Sequence, residues 1–310
     1  MPARETPFSR FGWGVLVYTI FVVLFGAYVR ITGSGAGCGQ HWPTCHGELV
    51  PRAPALETII EFTHRATSGV YGLLVLALLV WALRRFPRGH LARIGAVWTL
   101  VFTISEALVG AGLVKFGLVA EDDSIARAVV MAIHLINTSF LTGALALTCW
   151  AGARPLPARP RQGADGRGRV ALILFGCLFG LILVGITGAV TALGDTLYPV
   201  AHGPIVERLQ RDQSISAHFL ERLRIMHPML AVGVGALVLF ASQSIATRDT
   251  RRAVQRWALA VSALVVAQVT AGVVNIMLSA PGWMQIIHLL IGTLLWTALV
   301  LLTASALERR

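Results

Sequence analysis

Charged residues are scarce in this chain. Only 13% of its 310 residues are charged, 55% are hydrophobic, and the mean hydropathy is +0.71. This composition excludes an ordinary soluble domain and predicts an all-α polytopic membrane protein surrounded by lipid.

Acidic residues are the rarer charge, with 15 Asp and Glu against 26 Lys and Arg, which gives a formal net charge of +11. In a soluble protein this excess would suggest a nucleic-acid partner. Here the arginines cluster in alternate short loops, as the positive-inside rule describes for membrane proteins, so we expect no nucleic-acid binding. A cleavable signal is also not expected, because the first apolar run, 11–31, is a full span rather than a short run before a cleavage site.

Eight apolar windows are long enough to cross a membrane as helices. An even number of spans places both termini on one side, and the arginine-rich loops assign that side to the cytoplasm of a cell-membrane protein. The two long loops, 33–57 and 194–217, then lie outside. The windows are 11–32, 58–83, 91–114, 125–150, 170–193, 218–245, 254–278 and 283–306.

The two halves of the chain resemble each other. Gly26-Ala27 in the first span corresponds to Gly188-Ala189 in the fifth, and Ala111-Gly112 in the third to Ala271-Gly272 in the seventh. A Pro-, Gly- and Arg-rich linker, 154–169, lies between the halves. We therefore expect two pseudo-symmetric four-helix bundles, 1–153 and 170–310, related as a parallel repeat.

Four histidines follow the same repeat, at equivalent depths of the even-numbered spans. Polar groups inside a membrane are costly and tend to be functional, and two helices of one bundle can present an imidazole to each face of a haem. Zinc fits less well, since its structural sites need four close ligands. The simpler alternative is that each histidine is a hydrogen-bonded packing residue. The four are His64, His134, His227 and His288.

Several arginines lie on the predicted outer side, against the positive-inside bias. A guanidinium can pair a carboxylate through two parallel hydrogen bonds, so these arginines are candidates for binding haem propionates. The alternative for each is a snorkelling side chain or an ordinary ion pair. They are Arg30, Arg65, Arg127, Arg222 and Arg224.

The motifs together resemble the haem A synthase family. They are the stretch 26–35 (GAYVRITGSG), the loop 38–45 (CGQHWPTC), the stretch 61–65 (EFTHR) and the three later intramembrane histidines. The resemblance covers nearly the whole chain, and its first half is the more specific. One departure is that Pro228 follows His227, where an arginine is expected.

The resemblance implies oxidation of a methyl group of haem O to a formyl group, through hydroxylation, to give haem A for terminal oxidases. It implies that His227 and His288 hold a haem b cofactor and that His64 and His134 hold the haem O substrate. An unidentified electron donor, and a haem O synthase or a second copy of the chain, are the expected protein partners.

Glu61 has no counterpart in the second half. It stands three residues before His64, so on a helix the two side chains share a face, and its carboxylate could relay a proton or stabilise positive charge on the oxidised carbon. The alternative is an ordinary ion pair with Arg65. Glu106, a carboxylate at membrane depth, would serve a proton path or a hydrogen bond within the bundle, and the sequence does not choose.

The cysteines divide into two kinds. Cys149 and Cys177 lie in apolar runs and are assigned no role. Cys38 and Cys45 face the oxidising side, where a disulfide would serve either as a structural staple or as a redox pair. The remaining histidines, His41, His46, His90, His202 and His218, are expected at the surface.

Two other functions use the same residues. A dihaem electron-transfer cytochrome would hold two permanent b haems on the four histidines. A proton-coupled transporter would use Glu106 and the histidines as a relay.

Overall fold

The computed structural model describes residues 6–154, 167–200 and 203–308. Their regular structure is helical: α1 Pro7–Ile31, α2 Leu56–Arg85, α3 Leu91–Lys115, α4 Ile125–Gly152, α5 Arg167–Leu197, α6 Ile205–Asp212, α7 Phe219–Arg222, α8 Met226–Arg248, α9 Arg252–Met277 and α10 Gly282–Leu307, with short 3-10 turns at Ser34–Ala36 and Leu223–Ile225. The predicted linker 154–169 lies mostly outside the described residues, as do His202 and the terminal arginines Arg4, Arg309 and Arg310.

Within the described residues, eight helical segments are long and apolar enough to cross a membrane. Seven of them are the helices α1 to α5, α9 and α10. The eighth is the continuous segment Phe219–Arg248, which runs from α7 through α8. All eight predicted spans are confirmed, with ends that differ by a few residues. The protein is therefore a multi-pass membrane protein.

Large apolar side chains cover much of the outer helix surfaces. Examples are Phe21, Trp98 and Phe240, which are exposed on three different helices. An extended apolar surface of this kind suits a lipid environment rather than water. The protein therefore has an apolar surface that matches the lipid surroundings expected from its composition.

Buried apolar side chains form two main clusters. The first is contributed by α1, α2, α3 and α4 together with Leu301 of α10, and the second by α5, α8, α9 and α10. The clusters meet where α4 packs on α10: the Trp296 indole N–H donates to the Ser139 carbonyl at 2.7 Å and the Trp150 indole N–H to Ser305 Oγ at 3.2 Å. The division into two domains remains a prediction.

Each of the four histidines lies near the start of its span. His64 and His227 both come eight positions after the first residue of their spans, His134 comes nine after, and His288 six after. The imidazoles therefore occupy similar depths in the four even-numbered spans, and they are half-buried.

Candidate functional site

His64 of α2 lies against a glycine of α1. A β-carbon added to Gly26 would lie 3.3 Å from His64 Cε1 and Nε2, so the absent side chain makes room for the imidazole. The ring of Phe25 meets the imidazole edge-on, with centroids 5.5 Å apart. His64 Nδ1 is buried without a hydrogen-bond partner.

His134 of α4 lies beside a carboxylate of α3. Its Nδ1 is 3.5 Å from Glu106 Oε1 and makes no hydrogen bond. Asn137 Nδ2 donates to Glu106 Oε2, and the Thr138 hydroxyl donates to Glu106 Oε1. Both side chains belong to the turn that follows His134, so Glu106 is fixed to the helix that carries the histidine.

The structure brings His227 and His288 together, with ring centroids 6.2 Å apart and ring planes at 85°. As in the first half, glycines make room for the rings: added β-carbons would lie 2.9 Å from His227 Cε1 at Gly188 and 3.3 Å from His288 Cε1 at Gly272. Gly26 and Gly188 of the repeat therefore have the same role, since each leaves space for one histidine ring.

Both histidines of the second pair have polar neighbours. The Thr187 hydroxyl donates to the Val184 carbonyl at 2.9 Å and lies 3.1 Å from His227 Nδ1. A proton on Nδ1, shared with this hydroxyl, would leave Nε2 as the ligand atom. The carboxamide Nε2 of Gln268 lies 3.1 Å from His288 Nε2, and His288 Nδ1 has no partner.

The donor set fits a haem. An imidazole nitrogen binds a metal at about 2 Å and lies roughly 1 Å from its ring centre, so two imidazoles on opposite sides of one metal ion have centres about 6 Å apart. The His227–His288 separation of 6.2 Å agrees. In the described part of the chain, no three His, Cys, Asp or Glu side chains are grouped as metal ligands, whereas a haem iron needs only a pair.

Glu61 is buried near the N-terminal end of α2, and both of its carboxylate oxygens have partners. Oε2 accepts the Cys38 backbone N–H at 2.7 Å, and Oε1 accepts from the Arg65 guanidinium. Arg65 also donates to the carbonyls of His41 and Thr44 at 2.6 and 2.7 Å. The predicted ion pair therefore exists, and it also ties the loop between α1 and α2 to the helix that carries His64.

The disulfide between Cys38 and Cys45 is confirmed. The loop that it closes lies on the first turn of α2, where the Thr58 hydroxyl donates to the Gly37 carbonyl at 2.6 Å. A β-carbon at Gly37 would meet the Thr58 backbone nitrogen at 2.7 Å, so only glycine permits this approach. Whether the bridge is a staple or a redox pair remains open.

The five arginines predicted to bind propionates have protein partners. Arg30 of α1 donates to the Ala192 carbonyl at 2.5 Å, to the Thr196 hydroxyl and to Gln285 Oε1 at 2.9 Å, which joins both halves. Arg224 pairs with Asp195 at 2.8 Å and Asp212 at 2.9 Å. Propionate binding remains a prediction for all five; Arg65 has the partners given above, and Arg127 and Arg222 donate to loop carbonyls.

One surface assignment was wrong. His90 is only 4% exposed, because its ring stacks on Phe86 with centroids 4.4 Å apart and its Nδ1 accepts the Ala92 N–H at the start of α3. Burial lowers the pKa of His90. His41 and His46 are exposed as predicted, and His218 is half-buried, where its side chain accepts the Leu220 N–H at the start of α7.

Residues 9–300 match the family described as COX15-CtaA, cytochrome oxidase assembly protein. The chain belongs to this family. A relative from Alkalihalophilus pseudofirmus, named heme A synthase, is 30% identical over 298 residues, which cover 94% of this chain and 93% of the relative. Another heme A synthase, from Halalkalibacterium halodurans, is 32% identical over 222 residues, or 69% and 70% of the two chains.

A more similar relative of this COX15-CtaA protein is about twice as long. A protein named protoheme IX farnesyltransferase from Thermus thermophilus is 53% identical over 301 residues, which cover 97% of this chain and 48% of the relative. The chain therefore spans about half the length of this relative.

Sequence reasoning missed the neighbours of the ligand candidates in this COX15-CtaA protein. The sequence contained part of the signal for these neighbours. Phe25-Gly26 and Thr187-Gly188 are corresponding dipeptides of the repeat, and they differ at the first residue, which contacts the histidine ring. The partners of the other two histidines, Glu106 and Gln268, lie six positions before Gly112 and four before Gly272. They are not corresponding positions, so the repeat alone does not pair them.

Proposed function

We propose that this protein is a haem A synthase, which oxidises a methyl group of haem O through hydroxylation to the formyl group of haem A. One observation carries the proposal. Two histidine pairs occupy corresponding places in the halves, and a buried carboxylate, Glu61, stands one helical turn from only one of the four histidines. Family membership and the heme A synthases among the relatives support the same reaction.

In this proposal, His227 and His288 hold a haem b cofactor, and His64 and His134 hold haem O. A bound haem supplies iron-centred redox chemistry. Support for the division comes from the corresponding rings of the repeat: His227 Nδ1 lies 3.1 Å from the Thr187 hydroxyl, whereas His64 Nδ1 has no hydrogen-bond partner. A ligand without a fixed orientation suits a site whose occupant must enter and leave.

Glu61 would be the catalytic residue of the first site. Its carboxylate is withdrawn from water, with 3% of the residue exposed, so its charge acts strongly on a neighbouring reacting group. There it can receive a proton or stabilise positive charge that develops on the oxidised carbon. Arg65 and the Cys38 N–H hold the two oxygens in place, and the loop carrying the disulfide covers this end of α2.

The protein would lie in the cell membrane with both termini in the cytoplasm, because the arginine-rich loops favour that orientation. A haem O synthase is the partner that its substrate requires. The length and name of the Thermus relative support this, since a farnesyltransferase of protohaem IX makes a farnesylated haem. Electrons would pass to an acceptor or come from a donor that the chain does not contain.

Glu61→Gln tests the catalytic assignment. Glutamine keeps the size and a hydrogen-bond acceptor but removes the charge, so we expect haem O to bind while haem A formation falls about 100-fold or more. Pigment extraction and chromatography of protein purified from cells that also make haem O measure both quantities.

Glu57→Gln is the matched control, because Glu57 is an exposed carboxylate one turn earlier on α2, and we expect it to leave the yield unchanged. Normal haem A production by Glu61→Gln would overturn the catalytic role.

A further inference from the structure

A half-buried polar cluster between α3 and α4 surrounds Glu106. Its two carboxylate oxygens receive hydrogen bonds from Asn137 and Thr138, and the Ser105 hydroxyl in turn donates to Asn137 Oδ1 at 2.5 Å. A carboxylate at membrane depth is costly unless it is paired or protonated, and residues of this kind tend to be functional. The cluster ends at His134, whose Nδ1 has no hydrogen-bond partner and lies 3.5 Å from Glu106 Oε1.

The second bundle gives its corresponding histidine a neutral neighbour. His288 faces the carboxamide of Gln268, at 3.1 Å, where His134 faces a carboxylate. Both neighbours come from the helix that precedes the histidine, α9 and α3 respectively, although at different positions along it. The two sites thus differ in the neighbour of a ligand candidate, which is a carboxyl group in one and a carboxamide in the other.

A carboxylate beside one ring nitrogen has a defined effect on a ligand histidine. It attracts the proton to that nitrogen, which leaves the opposite nitrogen free for the metal, and it raises the basicity of the ligand. A more basic ligand favours the oxidised iron over the reduced iron. A neutral carboxamide can orient the ring but adds little to its basicity.

We propose that Glu106 is a positioning residue that turns His134 Nε2 toward the haem and makes it a stronger donor than His288. The inference rests on the proposed haem sites and adds an electronic difference between them: the haem of the first bundle is harder to reduce than it would be with a neutral partner. Asn137 and Thr138 hold the carboxylate in place for this purpose.

Glu106→Gln in the full-length, haem-loaded protein tests the proposal. Spectroelectrochemical titration gives the midpoint potential of each haem, with His64→Ala and His227→Ala assigning the two signals. We expect the potential of the first-bundle haem to rise and that of the second to stay unchanged. Titration of haem-depleted protein with hemin should show about a 10-fold to 100-fold weaker first site.

Gln268→Glu is the reciprocal variant and keeps the test decisive if Glu106→Gln fails to fold. It places a carboxylate beside His288, so we expect a lower potential of the second-bundle haem alone. Unchanged potentials in both variants would overturn the proposal.

His134→Ala separates this proposal from the haem sites themselves. If it loses the first haem while Glu106→Gln changes neither potential nor affinity, the positioning role is wrong and the haem sites stand. If His134→Ala keeps both haems with unchanged low-spin spectra, His134 is not a ligand and both proposals fail.

Discussion

In the two halves of the chain, glycines make room for histidines in the same way, but the side chains next to the rings differ. In both, a glycine on the first helix of the bundle makes room for the imidazole on the second, at Gly26 for His64 and at Gly188 for His227. The residue before the glycine is Phe25 in one bundle and Thr187 in the other, and only the threonine hydrogen-bonds its ring. The close approach of the backbone makes room for the ring, and we expect the neighbouring side chain to set how firmly the ring is held.

The histidine-bearing ends of the two halves differ as well. The first is covered by the disulfide loop, which a backbone N–H joins to Glu61. At the corresponding end of the second, Arg224 pairs with Asp195 and Asp212, and the Tyr198 hydroxyl donates to Asp123 of the first bundle. One end therefore places a carboxylate beside a histidine, while the other uses its carboxylates to hold loops together.

The largest effect that separates the ends is expected from Cys38→Ala combined with Cys45→Ala. Loss of a native disulfide typically costs about 2–4 kcal/mol, and here it also frees the N–H that holds Glu61. Haem A formation should fall sharply, while the haem b content, which we propose depends on His227 and His288, should remain. Pigment extraction measures both, and equal loss of the two would contradict the local role of the loop.

Gly188→Ala and Gly26→Ala form the next comparison. The added β-carbon would lie 2.9 Å from His227 at Gly188 but 3.3 Å from His64 at Gly26, and overpacking of this kind typically costs about 1–3 kcal/mol. We expect Gly188→Ala to lose haem b and Gly26→Ala to show a smaller loss confined to the first site. Haem content per purified protein measures this, and Gly176→Ala, where the added atom meets nothing, is the control.

The smallest effect is expected at the residues before those glycines. Thr187→Val removes one hydrogen bond from His227, worth about 0.5–1.5 kcal/mol, and should speed the release of haem b several-fold. Phe25→Thr offers His64 a hydroxyl and should slow release from the first site. Transfer of haem to apomyoglobin measures both rates, and unchanged rates in both variants would show that these neighbours do not set retention.

The membrane fold could be predicted because lipid imposes a simple requirement on the sequence. Every spanning backbone must satisfy its own hydrogen bonds, so apolar runs of sufficient length become helices, and all eight did so. The disulfide was also predictable from a cysteine pair in one short loop on the expected oxidising side. The similar depths of the four histidines followed from the positions of the helix starts.

The partners of the histidines could not be predicted in the same way. Which side chain of α3 meets His134 depends on the rotation and axial offset of two helices, and apolar composition specifies neither. Arg30 was read as a propionate candidate from its position alone, yet its long side chain reaches carbonyl and amide oxygens of two other helices. The burial of His90 depends on a tight turn that stacks it on Phe86, a contact that its polar context did not suggest.

The central claim is that the two histidine pairs hold different haems, one exchanged and one retained. The most direct test is to extract and identify the haems of purified wild-type protein, His64→Ala and His227→Ala, each made with and without co-expressed haem O synthase. We predict that His227→Ala loses haem b, whereas His64→Ala keeps haem b and loses haem O and haem A. Haem b alone in the wild-type protein under both conditions, no haem at all, or equal loss of haem b from the two variants would contradict the account.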